Sequence, residues 1–113
     1  MSKYLDERNC SKIIDGHAWT ELDHELFSDM RPDEQERIRV WIRQNIVPRK
    51  NACHGHTSYG IKHLLERDTG IYMTNNQFKD AMLVAGYEPV NPRELNWKYR
   101  ISRKSPCFKL AIW

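Results

Sequence analysis

Asn75, Asn76, Gln77 and Lys79 stand off the apolar positions Phe78, Ala81, Met82 and Ala85 of one segment, and their types suit recognition of a nucleic acid. An Asn or Gln side chain pairs bidentately with the edge of adenine in a major groove. Arg93, in a turn, and Lys98, Arg100, Arg103 and Lys104 after it supply cations for phosphate oxygens, which carry most non-specific affinity for a duplex. The same residues have a plainer use. Amides at a helix start are common caps, and cations on the outer face of a hairpin protect its edge.

A second group, Cys53, His54, His56 and His63, with Cys10 and Cys107 elsewhere, has the donor types of a zinc site, since zinc takes thiolates and imidazoles in a tetrahedron. The spacing matches no standard motif. His56 and His63 would lie about two turns apart on one helix face, so a site would have to pair Cys53 and His56 with Cys10 or His17. A loop thiol, with histidines capping or packing near a helix start, accounts for the same residues without a metal. No metal and no cofactor are expected; Cys53, His56, His63 and Cys10 are the candidate ligands should zinc bind. There is no Gly-rich phosphate loop and no His-Glu-x-x-His pattern, and Cys53 beside His54 lacks a third group to orient the pair. The chain is expected not to be an enzyme.

The elements that must position these residues follow from periodicity. Leu22, Leu26, Phe27 and Met30 suggest a short helix within residues 19–30, with Thr20 and Asp23 as its capping box. Pro32 suits a first helical position, Asp33 and Glu34 favour the positive end of the dipole, and Ile38, Trp41, Ile42 and Ile46 form one stripe of a helix over 32–47 that Pro48 stops. Residues 48–56 read as a loop with two cations at its base. A helix from Thr57 or Ser58 to Asp68 buries Ile61, Leu64 and Leu65 and ends at Gly70, and Thr74 with Gln77 opens another over 75–85, stopped by Gly86. The period then changes to two: Trp97, Tyr99 and Ile101 alternate with Lys98, Arg100 and Ser102, which predicts a β-hairpin with Tyr87 to Val90 as its first arm.

This order predicts an α+β fold, a mostly helical winged helix-turn-helix-like domain with a C-terminal β-hairpin, in which helix 75–85 lies against a groove. Residues 1–31 form an acidic N-terminal segment with a short helix, and residues 32–113 form the domain and its tail. Asn76, Lys79 and Arg100 should then face solvent while Phe78 and Met82 are core. Trp41 and Trp97 are core candidates too.

The runs His56-Thr57-Ser58-Tyr59-Gly60-Ile61-Lys62-His63-Leu64, Gly70-Ile71-Tyr72-Met73-Thr74-Asn75-Asn76-Gln77-Phe78-Lys79, Gly86-Tyr87-Glu88-Pro89-Val90 and Asn96-Trp97-Lys98-Tyr99-Arg100-Ile101 resemble a group of small uncharacterised proteins carried by phages and integrative elements of Gram-positive bacteria. The resemblance covers about residues 56–101. Phage accessory proteins of this size include transcriptional regulators and anti-CRISPR inhibitors, so it implies a phage-regulation or host-defence role. It transfers no active site.

Charge is unevenly spread. Residues 1–34 carry four Lys/Arg against nine Asp/Glu, a net −5, whereas residues 35–113 carry fourteen against six, a net +8 within a chain of 113 residues and net +3. The basic part is where a polyanion would bind, and the acidic part suits a basic protein surface. The expected partner is therefore a nucleic acid or a host nucleoprotein such as a CRISPR effector. No apolar stretch approaches the roughly 18 to 20 residues of a membrane span, the start lacks the apolar region of a signal peptide, and three cysteines give no disulfide framework. A cytoplasmic chain with no membrane partner is expected, as a monomer or weak homodimer with the apolar tail 108–113 as the place for a self-contact.

Overall fold

A computed structural model describes residues 11–13, 20–22, 25–53 and 55–111. Three helices, α1 (Pro32–Asn45), α2 (Ser58–Thr69) and α3 (Asn75–Val84), stand where the apolar periods place them, within two residues at each end. Pro32 opens α1, and its missing N–H costs nothing there because the first helical amides have no partner in the helix. Gly70 ends α2 at φ +75°, a left-handed conformation that glycine adopts without a Cβ penalty, and sends its N–H to Glu66 O. The capping box of α3 is closed from both sides. Gln77 N–H donates to Thr74 Oγ1 at 3.1 Å, and Thr74 N–H donates to Gln77 Oε1 at 3.0 Å.

The helices pack on one another through Ile38, Trp41 and Ile42 of α1, Ile61, Leu64 and Leu65 of α2, and Phe78, Ala81 and Met82 of α3. Trp97, Tyr99 and Ile101 complete this core and are fully buried. A 3-10 helix, Pro106–Ala111, lies against α1 and α2. None of the helices among the described residues is long and apolar enough to cross a membrane.

The winged helix-turn-helix-like expectation is overturned at the C-terminal hairpin. From Glu25 onward the described residues are mostly helical and hold no strand. The alternation of Trp97, Tyr99 and Ile101 with Lys98, Arg100 and Ser102 does separate buried from more exposed positions, but the pairing is reduced to the isolated bridges Pro89↔Tyr99 and Pro48↔Ile101. Both bridges set a proline, which has no N–H to donate, against the extended segment, so no ladder propagates. That segment is also shared between two neighbours. Val90 N–H donates to Lys98 O on one side, while Arg49 N–H donates to Arg100 O and Cys53 N–H to Tyr99 O on the other.

The short N-terminal helix is corrected too. Thr20–Leu22 (β2) is extended and pairs antiparallel with Ser11–Ile13 (β1), Ser11 opposite Leu22, and only Phe27–Asp29 coils, as a 3-10 turn. Asp29 accepts the Leu26 N–H at 2.9 Å, Asp80 of α3 accepts the Phe27 N–H at 3.0 Å, and Pro32 disfavours helical geometry at Arg31. Asp23, the expected partner of Thr20 in a capping box, lies outside the described residues.

Candidate nucleic-acid interface

The helix expected to read a groove is the most enclosed of the three. Asn76 and Lys79 are each 1 % exposed, Gln77 is buried and Asn75 is half-buried. Their polar atoms are engaged within the fold, most of them with backbone groups. Asn76 Nδ2 donates to Glu25 O at 2.7 Å, fastening the N-terminal approach, and Asn75 Nδ2 donates to Asn96 Oδ1 at 2.9 Å and to Leu95 O. Ser58 Oγ donates to Asn75 Oδ1 at 3.0 Å. Lys79 Nζ donates to Leu95 O at 3.0 Å and sits 4.7 Å from the centre of the Trp97 ring. The loop 91–96 therefore folds over the polar face of α3, and the expectation that Asn76 and Lys79 face solvent is reversed. One signal was legible beforehand: Gln77 closes the capping box with Thr74, and an amide engaged there is not available to a base.

The cations beyond Lys79 lie nearer the surface. Arg93, Arg100, Arg103 and Lys104 are exposed and Lys98 is half-buried. Arg93 stands apart in the loop over α3, its N–H donating to Asn91 Oδ1 at 3.1 Å. The others are joined by residues that sequence reasoning did not select for binding. Residues 46–53 run beside 97–105 through the Arg49–Arg100 and Cys53–Tyr99 bonds, with Ser102 N–H donating to Val47 O and Val47 N–H to Ser105 Oγ. Arg49 thus comes alongside Arg100, with Lys50 next in the chain, and Arg39 and Arg43 of α1 border a hollow that Pro48 also lines. Residues 39–50 and 95–109 together contain nine Lys or Arg and no Asp or Glu. Arg43, Arg49, Lys50, Lys98, Arg100, Arg103 and Lys104 make no ion pair with another described residue, and Arg39 meets Glu36 at 3.0 Å across one turn of an exposed helix face.

Two adjoining hollows open on this face. One, of about 440 Å³, is lined by Pro48, Ala85, Gly86, Tyr87, Glu88 and Arg100, and the other, of about 400 Å³, by Arg39, Ile42, Arg43, Ile46, Pro48, Ala85 and Tyr87. Pro48, Ala85 and Tyr87 belong to both. The Tyr87 hydroxyl donates to Ile46 O at 3.2 Å, and burial pushes its pKa up, so it stays a neutral donor.

The candidate metal ligands are not gathered. His56 stacks on Phe108 with ring centres 4.0 Å apart, whereas His63 is exposed, edge-on to Tyr59, with Nδ1 3.1 Å from Glu66 Oε1. Cys53 and Cys107 are buried and unbridged. Burial is the main cause that pushes the Cys107 thiol up to about 12; its own backbone N–H lowers it and the Cys53 thiol raises it further. Among the described residues no three His, Cys, Asp or Glu side chains could share a metal ion, and Cys10, His17 and His54 lie outside them. Phe108 of the tail already packs against the core and His56.

No protein-family model, curated protein or solved structure matches the chain.

Proposed function

We propose that the chain is a non-enzymatic accessory protein of a phage or mobile element that acts in the host cytoplasm and binds nucleic acid, or a nucleoprotein, through the face carrying Arg39, Arg43, Arg49, Lys50, Arg100, Arg103 and Lys104. One observation carries the reading: two segments without a single carboxylate, 39–50 and 95–109, are held side by side by backbone hydrogen bonds and show their cations to solvent. Cations on such a face release condensed counterions when they meet phosphates, so the logarithm of the affinity falls linearly with that of the salt concentration. Fluorescence anisotropy with labelled oligonucleotides tests this. Binding that weakens steeply with salt is expected, with a shallower dependence for Arg49→Ala and Arg100→Ala. Absence of binding at low salt refutes it.

A second reading, an anti-CRISPR inhibitor that docks on a host effector nuclease and blocks its DNA binding or cleavage, is favoured by a different surface. Tyr72 and Tyr59, 79 % and 51 % exposed, flank the buried Lys62, whose Nζ lies 5.7 and 5.3 Å from their ring centres. Exposed aromatic side chains over a fixed cation are effective protein-contact anchors. Co-purification with a panel of effector nucleases, with cleavage assays alongside, tests it.

A further inference from the structure

We propose that the basic face takes a single strand of nucleic acid, with a base seated against Tyr87 in the paired hollows and phosphates on the cations around them. This rests on the nucleic-acid reading and adds the strandedness of the ligand. A duplex is read by a helix or ribbon that protrudes into its groove. Here the helix with the right residues for that task, α3, is enclosed, and the exposed cations border a concavity. A single strand presents base faces and phosphates together, whereas a duplex hides the faces within its stack.

The chemistry of the concavity separates those two parts of the ligand. Its shared wall is built from Tyr87, Pro48 and Ala85, residues with apolar or aromatic side chains suited to the flat face of a base. Arg39 and Arg43 border one hollow and Arg100 the other. The C-terminal ends of α1 and α3 both meet here, at Ile46 and Ala85, and bring the negative ends of two helix dipoles. Glu88 adds a carboxylate. A phosphate is unwelcome on such a floor, while an exocyclic amino group of a base finds an acceptor there.

The aromatic wall is fixed before any ligand arrives. Tyr87 follows Gly86, which turns the chain at φ +95°, a conformation costly for other residues. Tyr87 N–H then donates to Met82 O at 2.8 Å and its hydroxyl to Ile46 O, so the ring is tied at both ends and loses little freedom on binding.

The test is anisotropy with three labelled probes of one mixed sequence, single-stranded DNA, single-stranded RNA and duplex DNA, at low salt. Either single strand is expected to bind at least about tenfold tighter than the duplex, and Tyr87→Leu to weaken single-strand binding by about 5- to 150-fold, the range for loss of one base–aromatic stack. Tyr87→Phe keeps the ring and should retain most of the affinity. Arg43→Ala and Arg100→Ala should weaken every probe. Equal or tighter binding of duplex, or an unaffected Tyr87→Leu, overturns the single-strand inference and leaves nucleic-acid binding standing; no binding of any probe overturns both. If Tyr87→Leu does not fold, photocrosslinking of the unaltered protein to a 5-iodouracil strand decides: a crosslink at Tyr87 supports the inference, and crosslinks only elsewhere overturn it.

Discussion

Replacing Lys79 by Ala should destabilise the protein strongly, although a lysine flanked by amides at a helix start reads as a surface group. The truncation removes three methylenes from a side chain that is 1 % exposed, about 2.4 kcal/mol at roughly 0.8 kcal/mol each. It removes a charged donor from Leu95 O, a bond worth about 1.5–3 kcal/mol, and a cation over the Trp97 ring, worth about 0.5–2 kcal/mol. Against these stands relief of the several kcal/mol that burying an ammonium costs. The polar gains and the desolvation cost largely offset, and Asn75 Nδ2 still donates to Leu95 O. The methylenes then set the sign, for a net loss of about 2–4 kcal/mol. At about 3–5 °C per kcal/mol for a domain of this size, the Tm should fall by about 6–20 °C in a circular dichroism melt. Lys79→Met keeps an unbranched apolar stem of nearly the same length and isolates the opposed polar effects, so it should stay within about 2 kcal/mol of the parent. Arg100→Ala, on the exposed side, should leave the Tm almost unchanged. A Lys79→Ala protein melting within about 2 °C of the parent would refute the enclosure of α3 and the covering loop 91–96.

Phe78→Ala and Met82→Ala each empty a fully buried position of α3 and should cost about 2–5 kcal/mol by denaturant titration. The Tyr99 hydroxyl is buried with no hydrogen-bond partner among the described residues, so Tyr99→Phe should hold or raise the Tm; a clear fall would reveal a partner. Burial raises Cys107 from 9.0 to about 12 and Tyr99 well above 10.0, so the folded chain keeps protons that the unfolded chain has begun to release. Their contribution is complete below about pH 9 and is lost as the pH climbs toward about 12. Chemical denaturation across that window should show Cys107→Ala with the shallower decline, and parallel declines would contradict it. A single-stranded oligonucleotide at about 100 times its Kd should stabilise the fold by about 2.7 kcal/mol in the same melts, and no shift would count against the basic face.

The helices were legible because each carries several independent marks that agree. Pro32 and the acidic first turn bound α1, Gly70 bounds α2, and the Thr74–Gln77 box opens α3. The hairpin was misread because alternation reports burial and not pairing. Trp97, Tyr99 and Ile101 alternate correctly, but whether a neighbouring strand can form depends on residues far away in sequence, and here these bring Pro48 and Pro89 to the segment. The expected exposure of Asn76 and Lys79 failed for a related reason. Periodicity places Asn76 and Lys79 off the apolar stripe, yet a helix buried by a covering loop on that side as well has no solvent face there. Lys79 finds a carbonyl and an aromatic ring in place of water. Arg39 and Arg43 carry no sequence signal of their own, and only the fold sets them on a hollow lined by Pro48, next to Arg49 in the chain.

The enclosure of α3 also sharpens what its neighbours are for. Asn75, Asn76, Gln77 and Lys79 are accounted for by backbone atoms they satisfy at Leu95, Glu25 and Thr74, so structure alone explains their types. The same accounting fails for Arg43, Arg49, Lys50, Arg100, Arg103 and Lys104. They are exposed, they form no ion pair with a described residue, and setting like charges on adjoining segments costs the folded state through mutual repulsion. Solubility requires charge but not charge of one sign, and alternating acids and bases would serve it with less repulsion. A polyanion laid across the face reverses that cost, because each cation then meets a phosphate where it had met another cation. The residues that resist explanation by the fold are therefore the ones we propose for the binding surface, and Asn76 and Lys79, which sequence alone made suggestive, are part of the scaffold behind it.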